Sequence, residues 1–169
     1  LYLINRPQDT LEFKVLHNDS FTKNPPEQDK ELSGVKLYNQ DMTPNLDNVS
    51  SYAFHTGSIV NIEDAYQVGK FNFTGTKEYD QEFNYKSKSM LVIPMKNHED
   101  EIIGVLQLIN ALDPKTREII AFDKEAQKKA DALASQASVL ITQQKLILEM
   151  NELFEAFINA IAVSIDEKS

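Results

Sequence analysis

The chain contains no cysteine, which excludes disulfides, thiolate metal sites, thiol nucleophiles and thioether-linked chromophores together. Glycine is scarce, and the five present are scattered as caps and turns. None builds a phosphate-binding loop, a dinucleotide fingerprint or a nucleophile elbow. No apolar run approaches the roughly 18 residues of a membrane span, and the N-terminus has no basic-then-apolar leader pattern. The expected compartment is cytoplasmic, with no membrane contact by this segment. Positive charge is in deficit, 17 Lys and Arg against 26 Asp and Glu, for a formal net charge of -9. An acidic chain attracts neither nucleic acid nor anionic lipid, so neither is expected as a partner. The three histidines, His17, His55 and His98, lie far apart without metal-ligand spacing. Asp41, Asp64, Asp80 and Asp100 lack any partner signature for acid/base work and read as solvated carboxylates. No catalytic residue and no metal site is expected within the chain.

What remains is a globular composition, 169 residues with 41% hydrophobic, enough for one domain plus an extension. Its organising stretch is Ser87 to Asn110. Two apolar runs, Met90 to Met95 and Ile102 to Ile109, flank Asn97-His98-Glu99-Asp100 and predict a central antiparallel hairpin. Both runs are apolar on both alternating sets, so both faces should be covered. Gln107 breaks the pattern, sharing a face with Ile103, Val105 and Ile109. A buried amide there needs either protein groups or a bound ligand as partner.

Upstream, Leu1 to Ile4 and Thr10 to His17 predict a first hairpin, and an upstream segment is expected before Leu1. Asn18 to Glu31 predicts an exposed loop, and Val35 to Tyr38 a short strand. Thr43-Pro44 and Gly57 frame a short helix. Ser58 to Ile62 predicts a strand and Thr76 to Asn84 another helix. Tyr66, Phe71, Phe73, Tyr79, Phe83 and Tyr85 form either a satellite core, the safer choice, or the lid of a small-molecule pocket. Asp113-Pro114 is expected to end the sheet. Phe122 to Ile165 then predicts one helix of roughly 65 Å. Within it Ala126, Ala130, Leu133, Ala137, Leu140, Gln144, Ile147, Asn151, Phe154, Ile158, Ile161 and Ile165 alternate in steps of four and three, a coiled-coil seam. Its first half should pack on the sheet, and its second half on a partner helix in a parallel homodimer.

Three ordered motifs resemble the core motifs of GAF domains, particularly those of cyclic-nucleotide phosphodiesterases. They are Asn61-Ile62-Glu63-Asp64-Ala65-Tyr66, Ser87-Lys88-Ser89-Met90-Leu91-Val92-Ile93-Pro94-Met95-Lys96-Asn97, and Ile103-Gly104-Val105-Leu106-Gln107-Leu108-Ile109-Asn110. The resemblance implies an α+β fold, a six-stranded antiparallel sheet with helices on both faces and a long C-terminal helix. Residues 1–140 would form a sensor domain and 141–169 a signalling and dimerisation helix. By motif position, ligand contacts are implied at Leu16, His17, Val49, Ser50, Asn72, Asp80, Phe83, Ser87 and Gln107. The implied ligand is a cyclic nucleotide or another small molecule, with no fixed cofactor.

Family members of this type carry Asn-Lys after the last strand and Phe-x-x-x-Asp-Glu at the final helix. Asn110 and Phe122 match, whereas Ala111, Ala126 and Gln127 depart, so the associated ion pair cannot form. Leu153 to Ser169 resembles the lead-in helix of bacterial HD-GYP phosphohydrolases. That implies a metal-dependent, cyclic di-GMP-hydrolysing output domain whose catalytic residues lie beyond Ser169. The competing expectation is a ligand-free dimerisation scaffold, in which the aromatic cluster is core.

Overall fold

The computed structural model describes residues 1–14, 34–82 and 84–166, with side chains as far as 163. Strand β1 (Tyr2–Asn5) and strand β2 (Thr10–Phe13) form the first hairpin. They are joined by a tight turn, Arg6–Gln8, which Asn5 caps by accepting the Gln8 N–H. As a strand, the alternation expected to reach His17 stops at Phe13. Leu16, His17 and the expected Asn18 to Glu31 loop lie outside the described residues. Strand β3 (Val35–Lys36), shorter than the expected Val35 to Tyr38, adds to β2.

The first helix does not begin at Thr43-Pro44. Asp41 Oδ1 accepts from the Thr43 N–H at 3.1 Å and from its hydroxyl at 2.6 Å, and Pro44 bridges to Tyr38. Such local side-chain bonds compete with a helical start. Helix α1 (Val49–Thr56) opens instead at Asn48, whose Oδ1 takes the N–H groups of Ser50 and Ser51. It closes on Gly57 at φ 63, where glycine carries no Cβ penalty. Strand β4 (Val60–Ile62) follows, two residues shorter than the expected run from Ser58. Helix α2 (Thr74–Glu82) starts earlier than the expected Thr76, because Asn72 Oδ1 accepts the Thr74 N–H at 2.9 Å.

Strands β5 (Met90–Lys96) and β6 (Ile102–Ile109) pair along their length as expected. Asn97 Oδ1 shapes their turn by accepting the N–H groups of Glu99 and Glu101, and Asp100 takes φ 60. Pro94 lies past the last β5 residue paired with β4, where a strand with one partner tolerates a missing N–H. Asp113-Pro114 does not simply end the sheet. Asp113 Oδ1 accepts the N–H groups of Lys115 and Thr116 at 2.8 Å and turns a second, unanticipated hairpin of β7 (Ala111–Leu112) and β8 (Ile119–Ile120). Helix α3 (Lys124–Asp166) runs 43 residues, with Asp123 Oδ1 accepting the Ala126 N–H.

The main sheet has the order β3-β2-β1-β6-β5-β4, antiparallel throughout. On one face Met90, Val92 and Val105 pack with Val49 and Ala53 of α1, with Leu11 and Leu37, and with Phe71 and Phe73. On the other, Leu91, Ile93 and Met95 pack against Ala130 and Ala134 of α3. β5 is buried on both faces, each large apolar side chain contributing about 2 kcal/mol. β6 is only partly covered, and Ile109 is exposed. The chain is thus the α+β arrangement expected from the motifs, with a helix on each face.

β1 reaches β6 through one narrow contact. Leu3 pairs with Gly104, and a Cβ at residue 104 would lie 2.3 Å from the Tyr2 carbonyl oxygen. That neighbour is backbone and cannot swing aside. Gly104→Ala is expected to cost about 2–3 kcal/mol in urea unfolding through overpacking. Gly69→Ala, where a Cβ meets nothing within 4 Å, should change stability by less than about 0.5 kcal/mol.

Candidate functional site

On the α1 face of the sheet the pleat pairs Gln107 with Val92, beside Met90. Gln107 is half-buried rather than buried, because β6 loses its cover toward Ile109. Ser50 Oγ, from the first turn of α1, donates to Gln107 Oε1 at 3.3 Å. Among the described residues Gln107 Nε2 has only the Met90 sulfur, at 3.7 Å, a weak acceptor. Ser50 itself is buried, and its neighbour Val49 is part of the core.

A second group forms where α2 meets the start of β5. Asp80 is the one buried residue of α2. Its Oδ1 accepts from Ser87 Oγ at 2.7 Å, and its Oδ2 accepts from the Ser87 N–H at 2.7 Å and the Tyr66 hydroxyl at 2.6 Å. Charge-assisted bonds of this length are the strong ones. The expected solvated carboxylate is therefore a buried anchor, holding a helix with no apolar face to the sheet. Beside it Asn110, at φ 60, accepts the Lys88 N–H and donates to the Lys86 carbonyl and the Tyr85 hydroxyl.

Asn72 stands elsewhere, in an open cleft of about 370 Å³ shared with Asn39, Asn45, Asp47, Asn48 and Thr74. The Asn72 N–H donates to the Asp47 carbonyl at 2.8 Å, tying two of the lining segments together. Among the described residues each asparagine commits one end of its amide. Asn39 and Asn45 donate through Nδ2, whereas Asn48 and Asn72 accept through Oδ1. The opposite ends line a surface able both to donate and to accept. Asn48 connects this cleft to the Gln107 group, since it caps the helix that carries Ser50.

The structure therefore joins Ser50 to Gln107 and Asp80 to Ser87 as separate pairs, places Val49 in the core, and sets Asn72 in the cleft. Leu16, His17 and Phe83 lie outside the described residues. Sequence reasoning missed Asn48, which an N-cap pattern before Val49-Ser50-Ser51 signals. It also missed Asn39, Asn45 and Tyr66 as partners, for which only tertiary placement gives a signal. Phe71 and Phe73 do not form a satellite cluster but belong to the main core. His55 is structural, its Nε2 at 2.7 Å from the Leu37 carbonyl oxygen and its ring edge-on to Tyr38. Where an ion pair was expected to be impossible, Asn61 Nδ2 donates to the Phe122 carbonyl and to Gln127 Oε1, holding α3 to β4 with neutral groups.

The hydrogen bond to Asp80 pushes the Tyr66 phenol up to about 12 from 10.0, since ionisation forfeits the bond and sets two anions together. The phenol pKa is raised in the fold, so the stability it contributes is complete below pH 10 and is lost as pH rises through about 12. A spectrophotometric titration of the wild type minus that of Tyr66→Phe should show one phenol with a midpoint near 12. A midpoint at 10 would mean that the Asp80 bond does not form in solution.

Among curated proteins, a segment of 62 residues is 44% identical to the dual 3',5'-cyclic-AMP and -GMP phosphodiesterase 11A of Takifugu rubripes, covering 37% of this chain and 6% of that protein. Another of 76 residues is 34% identical to the cGMP-specific 3',5'-cyclic phosphodiesterase of Drosophila melanogaster, covering 45% of this chain and 6% of that protein. The chain thus spans a small fraction of these relatives. The GAF domain from Acinetobacter phosphoenolpyruvate-protein phosphotransferase superposes with a TM-score of 0.55 at 16% identity, covering 88% of this chain and 72% of that one. The type II free methionine-R-sulfoxide reductase from Thermoplasma acidophilum reaches 0.50 at 16% identity, covering 81% and 72%. At such identities the likeness is one of fold. The GAF domain family model matches residues 7–141, a span that runs from the turn before β2 into α3 and includes all three motifs, and the chain belongs to that family.

Proposed function

We propose that this chain is a regulatory sensor domain that binds a small polar molecule, a cyclic nucleotide first among candidates, and passes its occupancy along α3. In this reading residues 1–140 are the sensor and 141–169 the signalling helix. Ligand contacts fall at Val49, Ser50, Asn72, Asp80, Ser87 and Gln107, with Leu16, His17 and Phe83 contributing from outside the described residues. The observation that carries the proposal is the Gln107 carboxamide, half-buried beside Ser50, with only a sulfur among the described residues to receive its Nε2. A carboxamide and a hydroxyl side by side match the paired donor and acceptor on the edge of a nucleobase. The phosphodiesterase relatives support a cyclic nucleotide as the ligand. The likeness of Leu153 to Ser169 to an HD-GYP lead-in helix supports a metal-dependent, cyclic di-GMP-type phosphohydrolase of a bacterial parent as the output. The chain itself binds rather than catalyses, and two copies pair through α3.

The scaffold reading has one observation in its favour. Phe71 and Phe73 are buried in the same core cluster as Met90 and Val92, as core rather than as a movable cover. A ligand shifts output only by binding one conformation better than the other, so entry beneath the lid requires these rings to move. Calorimetric titration of the domain with cGMP and with cAMP separates the two. The sensor reading expects saturable heat with one of them, and at least about tenfold weaker binding, roughly 1.4 kcal/mol, in Gln107→Leu with an unchanged melting temperature. Silence across both and a wider nucleotide panel leaves the scaffold.

A further inference from the structure

We propose that α3 pairs with α3 of a second copy in parallel and in register, and that two amide layers, Gln144 and Asn151, select that arrangement. The inference rests on the reading of α3 as the dimerisation helix and adds its orientation and the residues that set it. From Gln143 to Val163 every side chain of α3 is exposed, so none of the described residues covers this half of the helix.

Leu133, Leu140, Ile147, Phe154 and Ile161 recur every seven residues and are all exposed. Ala137, Gln144, Asn151 and Ile158 interleave with them. This is the a and d alternation of a left-handed coiled coil, with the apolar set at d and the two amides at a. In a parallel, in-register pair each layer meets its own copy. Gln144 then faces Gln144 and Asn151 faces Asn151, each able to bond across the axis. Reversing one helix sets every a position against a d position. All described d positions are apolar, so both amides would be buried without partners.

The flanking positions provide no rival selector. Ile141, Leu148, Met150 and Phe157 are apolar, Gln136 and Gln143 are neutral, and Glu155 is the one charge, so charge pairing across the seam does not choose an orientation. Isoleucine in both seam sets, at Ile158 and Ile161, with apolar flanks, favours assemblies larger than two. A buried asparagine opposes this, trading stability for strand number.

The cysteine-free chain allows a direct test. Ile147→Cys at d and Ile158→Cys at a, made singly, should each give a disulfide-linked dimer in most of the protein under mild oxidation, whereas Glu152→Cys on the outer face should give little. A dimer by sedimentation that cross-links only when the two variants are mixed is antiparallel and overturns the proposal while leaving dimerisation intact. A monomer by sedimentation overturns the dimer reading itself. Asn151→Ile should raise Tm by about 3–6 °C yet produce species larger than the dimer. A variant that remains one dimer with an unchanged cross-linking pattern would show that the amide layer selects nothing.

Discussion

From Met90 to Met95 every side chain of β5 is withdrawn from water, alternately toward α1 and toward α3. A strand of this kind cannot exist at the surface or alone, because each apolar side left open forfeits about 2 kcal/mol of burial. The surrounding elements answer that demand. β6 and β4 take its backbone bonds, α1 closes one face, and the small side chains Ala130 and Ala134 let α3 lie close on the other. β1 then extends the sheet past β6 only where Gly104 leaves room for the Tyr2 carbonyl.

The α1 and α2 side of the sheet is built by a different rule. α1 contributes apolar side chains to the core, but α2 buries a single residue, and that residue is an acid. The lid is fastened by hydrogen bonds from Ser87 and Tyr66 to Asp80 rather than by greasy contact. Such bonds are directional and hold α2 only while Asp80 keeps its partners, whereas burial of Phe71 and Phe73 needs no particular partner geometry. The face therefore combines an apolar floor with polar fastenings at its edge.

α3 serves two surfaces in succession. Ala130, Ala134, Ala137 and Ile141 turn toward the sheet, while Leu133 and Leu140 on the same turns face solvent. The seam read from the sequence as one stripe is thus divided by the domain. Its alanines are taken into the sheet contact and its leucines are left outside, in line with the apolar positions farther along. The helix is continuous from Lys124 through Asp166, so the part on the sheet and the exposed part are one rod.

The paired apolar runs and the long proline-free helix were legible in the residues alone, because strand and helix periods are local properties of the chain. The family motifs added the strand count and the helix on each face. The start of α1 was misread because Thr43-Pro44 and Asn48 are both acceptable openings, and only the Asp41 turn and the Tyr38 to Pro44 bridge decide between them. The β7–β8 hairpin escaped notice because two-residue strands carry no periodicity. Gln107 was marked by its apolar neighbours, but its half-buried state, its serine partner and its separation from the Asn72 cleft depend on which elements cover β6. By itself the sequence determined which segments must be covered. The tertiary structure alone decided which polar groups meet, because hydrogen bonds between residues such as Asp80 and Tyr66, or Ser50 and Gln107, leave no periodic trace in the chain.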